Sequence, residues 1–141
     1  MSSPESNSPV PKKAEQALIL VVERNPIVQR LERFFLEQAG FTVEFTADGL
    51  AALARAQELK PRIVVTEILV PKLDGLSLCR HLKSDASTKD ILVMIFSHLQ
   101  ADDRALEAGA DAFLAKPLNE ELLIATLEKL LTLKHSVGEA S

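Results

Sequence analysis

The sequence contains no tryptophan, no tyrosine, one cysteine and only five glycines among 141 residues. Each scarcity closes a class of function. A lone Cys79 rules out an intrachain disulfide and fits a reducing compartment. Without Trp or Tyr, the usual stacking partners of a flavin ring are missing. A formal net charge of −4 supplies no electrostatic drive toward nucleic acid or an anionic membrane. No apolar run approaches the ~20 residues of a membrane-spanning helix, and the first residues are Ser/Pro-rich instead of basic and then apolar as in a signal peptide. The expectation is a cytoplasmic chain that engages neither nucleic acid nor membrane.

What is present is a regular alternation of apolar runs and helical patterns. Residues 1–16 hold three of the seven prolines and no apolar period, and read as a disordered tail in which Lys12 and Lys13 are solvated. Residues 17–134 read as one domain. Ala17 to Val22 is a short continuous apolar run, the pattern of a strand covered on both faces. Asn25 and Pro26 then form a capping pair that opens a helix, with Ile27, Leu31, Phe34 and Phe35 at helical spacing and Gly40 as its stop. Phe41 to Phe45 forms a second strand, and Asp48-Gly49 leads into an Ala-rich helix that Pro61 stops.

The third strand, Ile63 to Thr66, delivers Glu67, and a turn carrying Pro71 and Asp74-Gly75 follows it. Leu76, Cys79 and Leu82 continue at helical spacing, which places Cys79 in the core. Ile91 to Phe96 is a fourth strand ending on Ser97-His98. Ala101 to Ala108 is a short helix, Ala112 to Ala115 a fifth strand delivering Lys116-Pro117, and Asn119 caps a last helix reaching about Leu133. Residues 135–141 read as a C-terminal tail, and His81 and His135 as surface residues without partners at metal spacing.

Five βα units with short connections favour a doubly wound three-layer α/β sandwich, because parallel strands need right-handed crossovers and cover on both faces. Flavodoxin-like strand order 2-1-3-4-5 is the usual solution for five strands. That order brings the carboxyl ends of the first and third strands together at the switch point. Glu23, Arg24 and Glu67 should therefore converge there, with Ser97 and Lys116 on the far side of Glu67. The first βα turn, Glu23-Arg24-Asn25-Pro26, has no glycine-rich phosphate loop, and no Ser/His/Asp or Cys/His constellation appears, so a small flavodoxin-like cofactor binder or hydrolase is disfavoured.

With these pieces in order, the chain resembles the receiver domain of two-component response regulators. The resemblance is carried by Ile19 through Glu23, Asp48-Gly49, Val64 through Glu67 with Pro71 and Asp74-Gly75, Ser97, Ala105 through Phe113, and Lys116-Pro117-Leu118. It implies a phosphoacceptor position at Glu67, where the family has Asp. It implies an acidic pair that helps hold Mg²⁺ at Glu23 and Arg24, a hydroxyl switch at Ser97, a rotating aromatic at Phe113 and the family's lysine at Lys116. It further implies histidine kinases or downstream effectors as partners, and a homodimer through the face of the fourth helix, fifth strand and fifth helix. From Ser97 to Gly109 the chain is about three residues short of the family's spacing, close to one helical turn, so that face should be altered.

Two of the implied positions carry the wrong chemistry for phosphoryl transfer. Glu67 adds a methylene, which displaces its oxygens beyond the positioning that in-line attack tolerates. Arg24 places a permanent cation where a carboxylate should hold metal. Glu23 and Glu67 against Arg24 and Lys116 sum to zero without metal, so Mg²⁺ binding is expected to be lost. Three readings of Glu67 follow: a locked ion-pair cluster with Arg24 and Lys116, a mimic of the phosphorylated state, or a strand-end acid of local importance only. A phosphotransfer-competent receiver, using Glu67 or Asp74, is the alternative. Ser97 would hydrogen-bond an anion or cap its own turn, Phe113 would rotate or simply pack, and His98 would narrow access to Glu67 or lie exposed. The expected function is a non-enzymatic, single-domain receiver in two-component or phosphorelay signalling that acts by protein contact.

Overall fold

The computed structural model describes residues 17–140. Ten elements alternate: β1 (Leu18–Val22), α1 (Pro26–Gln38), β2 (Thr42–Thr46), α2 (Gly49–Leu59), β3 (Ile63–Thr66), α3 (Gly75–Ser84), β4 (Leu92–Ser97), α4 (Asp102–Glu107), β5 (Ala112–Ala115) and α5 (Glu120–Ala140). All strand pairings are parallel, in the order β2-β1-β3-β4-β5 expected from the sequence.

The period of two in each strand sorts the core into two layers. Ile19, Val21, Ile63, Val65, Met94 and Phe96 pack under Leu36 of α1 and Leu123, Leu127 and Leu131 of α5. Leu20, Val22, Val64, Val93 and Ile95 pack on the opposite face under Ala52 and Ala56 of α2, Leu76, Cys79 and Leu82 of α3, and Ala105 of α4. Cys79 is fully buried there, as its helical spacing indicates, and its thiol donates to the Ala108 carbonyl at 3.4 Å. The small residues of α2 allow close contact with the sheet, so both faces of all central strands are dry.

Helix starts follow their caps. Asn25 accepts from the Ile27 amide at 2.9 Å, Asp48 from Ala51 at 2.7 Å, Asp74 from Ser77 at 2.9 Å and Asn119 from Leu122 at 3.0 Å. α4 is only six residues long and has no side-chain cap. α5 corrects one expectation: it runs to Ala140, so 135–140 is helical and not a tail. No proline interrupts that stretch, and Leu133, Lys134, Glu139 and Ala140 are helix formers. The expected N-terminal tail at 1–16, and the side chain of His135, lie outside the described residues.

Among the described residues no helix is long and apolar enough to cross a membrane.

Candidate functional site

The register puts the ends of β1 and β3 side by side, with Val22 opposite Thr66, and the Glu67 amide donates to the Val22 carbonyl at 3.0 Å. Glu23 and Glu67 are thus neighbours at the carboxyl edge, where a doubly wound sheet changes winding direction. β4 and β5 end together as well, and the Lys116 amide donates to the Ser97 carbonyl at 2.9 Å. Four of the six residues singled out from sequence therefore meet: Glu23, Glu67, Ser97 and Lys116.

Their contacts form a closed set. Lys116 Nζ lies 2.6 Å from Glu23 Oε1 and 3.1 Å from Glu67 Oε1, and its side chain is 4% exposed. The ammonium also sits 5.4 Å from the centre of the Phe96 ring. Glu23 Oε2 accepts from the Asn25 amide at 3.0 Å. Glu67 Oε2 accepts from the Ser97 hydroxyl and, at 2.7 Å, from the Ile68 amide. Each of the four carboxylate oxygens therefore already has a donor. Ser97 Oγ also accepts from the Leu99 amide at 3.1 Å, and so caps its own turn.

Charge states follow from these partners. Burial pushes the Glu67 carboxyl up, but the Ser97 hydroxyl, Lys116 and the Ile68 amide outweigh it and hold the group below the ordinary carboxylate range. Burial pushes Lys116 down, yet its bonds to Glu23 and Glu67 leave it above the ordinary lysine value. Both groups are ionised at neutral pH, and the buried trio carries a net −1.

Arg24 corrects the expectation of an ion-pair cluster that includes it. It is exposed and makes no ion pair among the described residues. The reason is local: Glu23 turns inward through its bond to the Asn25 amide, and the next residue turns out as α1 begins. Arg24 instead forms the rim of a cleft of about 160 Å³, together with Asn25, Leu69 and His98, above Glu23, Glu67 and Lys116. His98 is exposed on that rim, so it narrows the mouth of the cleft. Phe113 is half-buried against the layer under α2, α3 and α4 and does not enter the cleft. Asp74, the other candidate acid, is committed as the α3 cap and accepts from both the amide and hydroxyl of Ser77 at 2.9 Å.

Gly75 holds the loop after Glu67 in place. A Cβ there would stand 2.2 Å from the Glu67 carbonyl oxygen, so only glycine lets α3 start this close to the end of β3.

Sequence reasoning missed Glu32. Three large apolar residues of α1 point outward: Ile27, Leu31 and Phe34 are 64%, 44% and 56% exposed. The inward stripe is Gln29, Glu32 and Leu36, and Glu32 is 1% exposed with Oε1 lacking a hydrogen-bond partner among the described residues. Burial raises its carboxyl to about 8, with Glu23 adding to the rise, Lys116 opposing it and Glu67 adding again. The available signal was Leu36, four residues on, which shares a helix face with Glu32.

Comparison with known proteins agrees with this architecture. The family model of the response regulator receiver domain matches residues 19–128. The chain is 32% identical over 126 residues to the DNA-binding dual master transcriptional regulator RpaA of a Synechocystis species, a match that covers 87% of this chain and 52% of that protein. The chain thus spans about half the length of that curated relative. The crystal structure of the receiver domain of a signal transduction histidine kinase from Syntrophus aciditrophicus superposes with a TM-score of 0.77 at 30% identity, covering 82% of this chain and 90% of that one. A second, the receiver domain of a Pseudomonas aeruginosa sensor histidine kinase with a magnesium ion coordinated in its active-site cleft, gives 0.74 at 28% identity over 80% of this chain and 95% of that one. Fold and sequence thus agree: this chain belongs to the response regulator receiver domains of two-component signalling.

Proposed function

We propose that this receiver signals by protein contact alone, in the cytoplasm, and that the phosphoryl chemistry of its site is lost. The observation that carries the reading is the commitment of all four oxygens of Glu23 and Glu67 to Lys116, Ser97, Asn25 and Ile68. A nucleophilic carboxylate must offer a lone pair in line with the phosphorus atom, and here both oxygens of Glu67 already take hydrogen bonds or an ion pair. The role of phosphoacceptor thus falls on Glu67 by position and not by chemistry. Ser97 and Lys116 become structural partners of Glu67, and Phe113 is a packing residue.

A magnesium ion is coordinated in the cleft of the Pseudomonas relative; among the described residues of this chain no group of three or more His, Cys, Asp or Glu could hold a metal ion. Mg²⁺ requires near-octahedral oxygen ligands with several waters, and it is reluctant to displace its hydration for donors already shared. Arg24 brings a cation and no lone pair to the rim, and Lys116 occupies the space between the two acids. No step of the function is routed through a metal.

Contact then falls to two surfaces. The outward stripe of α1, Ile27, Leu31 and Phe34, is suited to an apolar helix face of a kinase or effector. The face of α4, β5 and α5 displays Leu106 and Leu122, 74% and 50% exposed, and is the surface assigned to self-association. The short α4 alters that face from the family's form.

The test is a magnesium titration followed by amide shifts of residues 23, 67 and 116. No saturable change is expected at millimolar Mg²⁺, while the Arg24→Asp/Glu67→Asp double variant should gain one. Saturable binding by the natural chain, abolished by Glu67→Ala, overturns the proposal.

A further inference from the structure

We propose that Glu32 couples the charge of the sheet-edge cluster to the seating of α1, and so to the face that α1 offers to partners; the last clause rests on the docking role assigned above to Ile27, Leu31 and Phe34. α1 has two opposed faces. The docking stripe lies outward, and Gln29, Glu32 and Leu36 lie inward about half a helical turn away. The side chain of Gln29 donates to the Glu23 carbonyl, which ties the first turns of α1 to the cluster. Glu32 hangs one turn below that tie. The strand period sends the Glu23 and Glu67 positions toward the same layer, since Ile19, Val21, Ile63 and Val65 all pack under α1 and α5.

A carboxyl 1% exposed with an unpartnered oxygen cannot stay ionised without water reaching it. Resting α1 therefore holds Glu32 neutral, and ionisation requires α1 to lift. The charges that decide between these states come from Glu23 at the end of β1, Glu67 after β3 and Lys116 after β5. Groups on the other neighbouring elements are turned away. Glu44 of β2 pairs with Arg55 of α2 at 2.9 Å, and Glu120, Glu121 and Glu128 of α5 line an exposed groove against Phe35 and Gln38. On α1 itself Arg30 is exposed, and Arg33 pairs with Glu37 at 3.2 Å.

Burial is the main force that keeps the proton on Glu32, and the two acids of the cluster, opposed by the single Lys116, add to it. A cation brought into the cleft by a partner neutralises the cluster's net −1, favours loss of the Glu32 proton to solvent, and loosens α1. By reciprocity, a partner that draws α1 outward releases the same proton. A leucine at this position would seat α1 permanently and carry no such coupling.

The experiment is a carbon-detected titration of the glutamate carboxyls in the full chain, with amide shifts of Ile27, Leu31 and Phe34 recorded on the same samples. Glu32 should titrate far above the exposed carboxyls, and the three amides should move with its midpoint. Lys116→Met should raise that midpoint by about one pH unit or more, and Glu23→Gln should lower it by a similar amount. In Glu32→Gln the α1 amides should no longer respond. Should Lys116→Met not fold, Glu23→Gln and Glu32→Gln decide alone. Titration of Glu32 among the exposed carboxyls, a midpoint indifferent to the charge variants, or silent α1 amides each overturn the coupling. Should Phe34→Glu leave partner binding intact while the titration behaves as stated, the docking assignment falls and the coupling stands.

Discussion

Replacing Glu32 with leucine should stabilise the protein, by an amount that grows with pH. The sign follows from linkage. The folded Glu32 carboxyl titrates at about 8 against an ordinary 4.5, so below 4.5 both folded and unfolded chains hold the proton and the group costs nothing through ionisation. Between those values the unfolded chain ionises and the folded chain does not, and stability falls by about 1.4 kcal/mol per pH unit. Above about 8 the loss is complete and amounts to roughly 5 kcal/mol, a large share of the ~5–15 kcal/mol that holds a domain of this size together. Leucine removes this loss and the unpartnered Oε1, and adds apolar packing beside Leu36. The expected gain is under ~1 kcal/mol near pH 4.5 and ~3–5 kcal/mol near pH 8. With no Trp or Tyr for fluorescence, urea unfolding is best followed by far-UV circular dichroism at several pH values. Glu32→Gln, which keeps the shape but cannot ionise, should show the same flattened pH profile with a smaller gain. A Leu variant less stable than the natural chain at pH 8, or a difference unchanged from pH 4.5 to 8, would refute the reasoning.

Three further outcomes follow from the same geometry. Lys116→Met leaves two buried carboxylates facing each other and should cost ~3–5 kcal/mol near neutral pH, read by the same urea assay. That deficit should shrink as pH falls from the ordinary carboxylate value of 4.5 through the lowered Glu67 value, because the pair's contribution is fully present above the first and gone below the second. Gly75→Ala forces a Cβ to within 2.2 Å of the Glu67 carbonyl and should destabilise by ~1–3 kcal/mol or more, with shifted Glu67 and Ile68 amides as its signature. The Cys79 thiol, fully buried and pushed up to about 11 by that burial, should react with a soluble disulfide reagent only as fast as the protein opens.

The parts of this protein legible in its sequence are those governed by short periods and caps. Apolar runs ending on Glu23, Glu67, Ser97 and Lys116 specify parallel strands, right-handed crossovers limit their arrangement, and the usual five-strand order brings those ends together. Side-chain direction at the element ends was not legible. Arg24 follows Glu23 directly, and only the inward bond from Glu23 to the Asn25 amide decides which of the two joins the cluster. α1 misled for a different reason. Ile27, Leu31 and Phe34 form an apolar stripe that is left exposed, while Glu32 shares the buried face with Leu36. The end of α5 was hidden because the sequence from 134 to 140 carries no apolar period to read.

The central claim, that Glu67 sits at the phosphoacceptor position without its chemistry, is tested most directly by intact mass. The chain would be incubated with a small-molecule acyl phosphate and Mg²⁺, beside the Arg24→Asp/Glu67→Asp variant. The natural chain should keep its mass unchanged while the double variant gains one phosphoryl group. A phosphoryl adduct on the natural chain that disappears in Glu67→Gln would contradict the account.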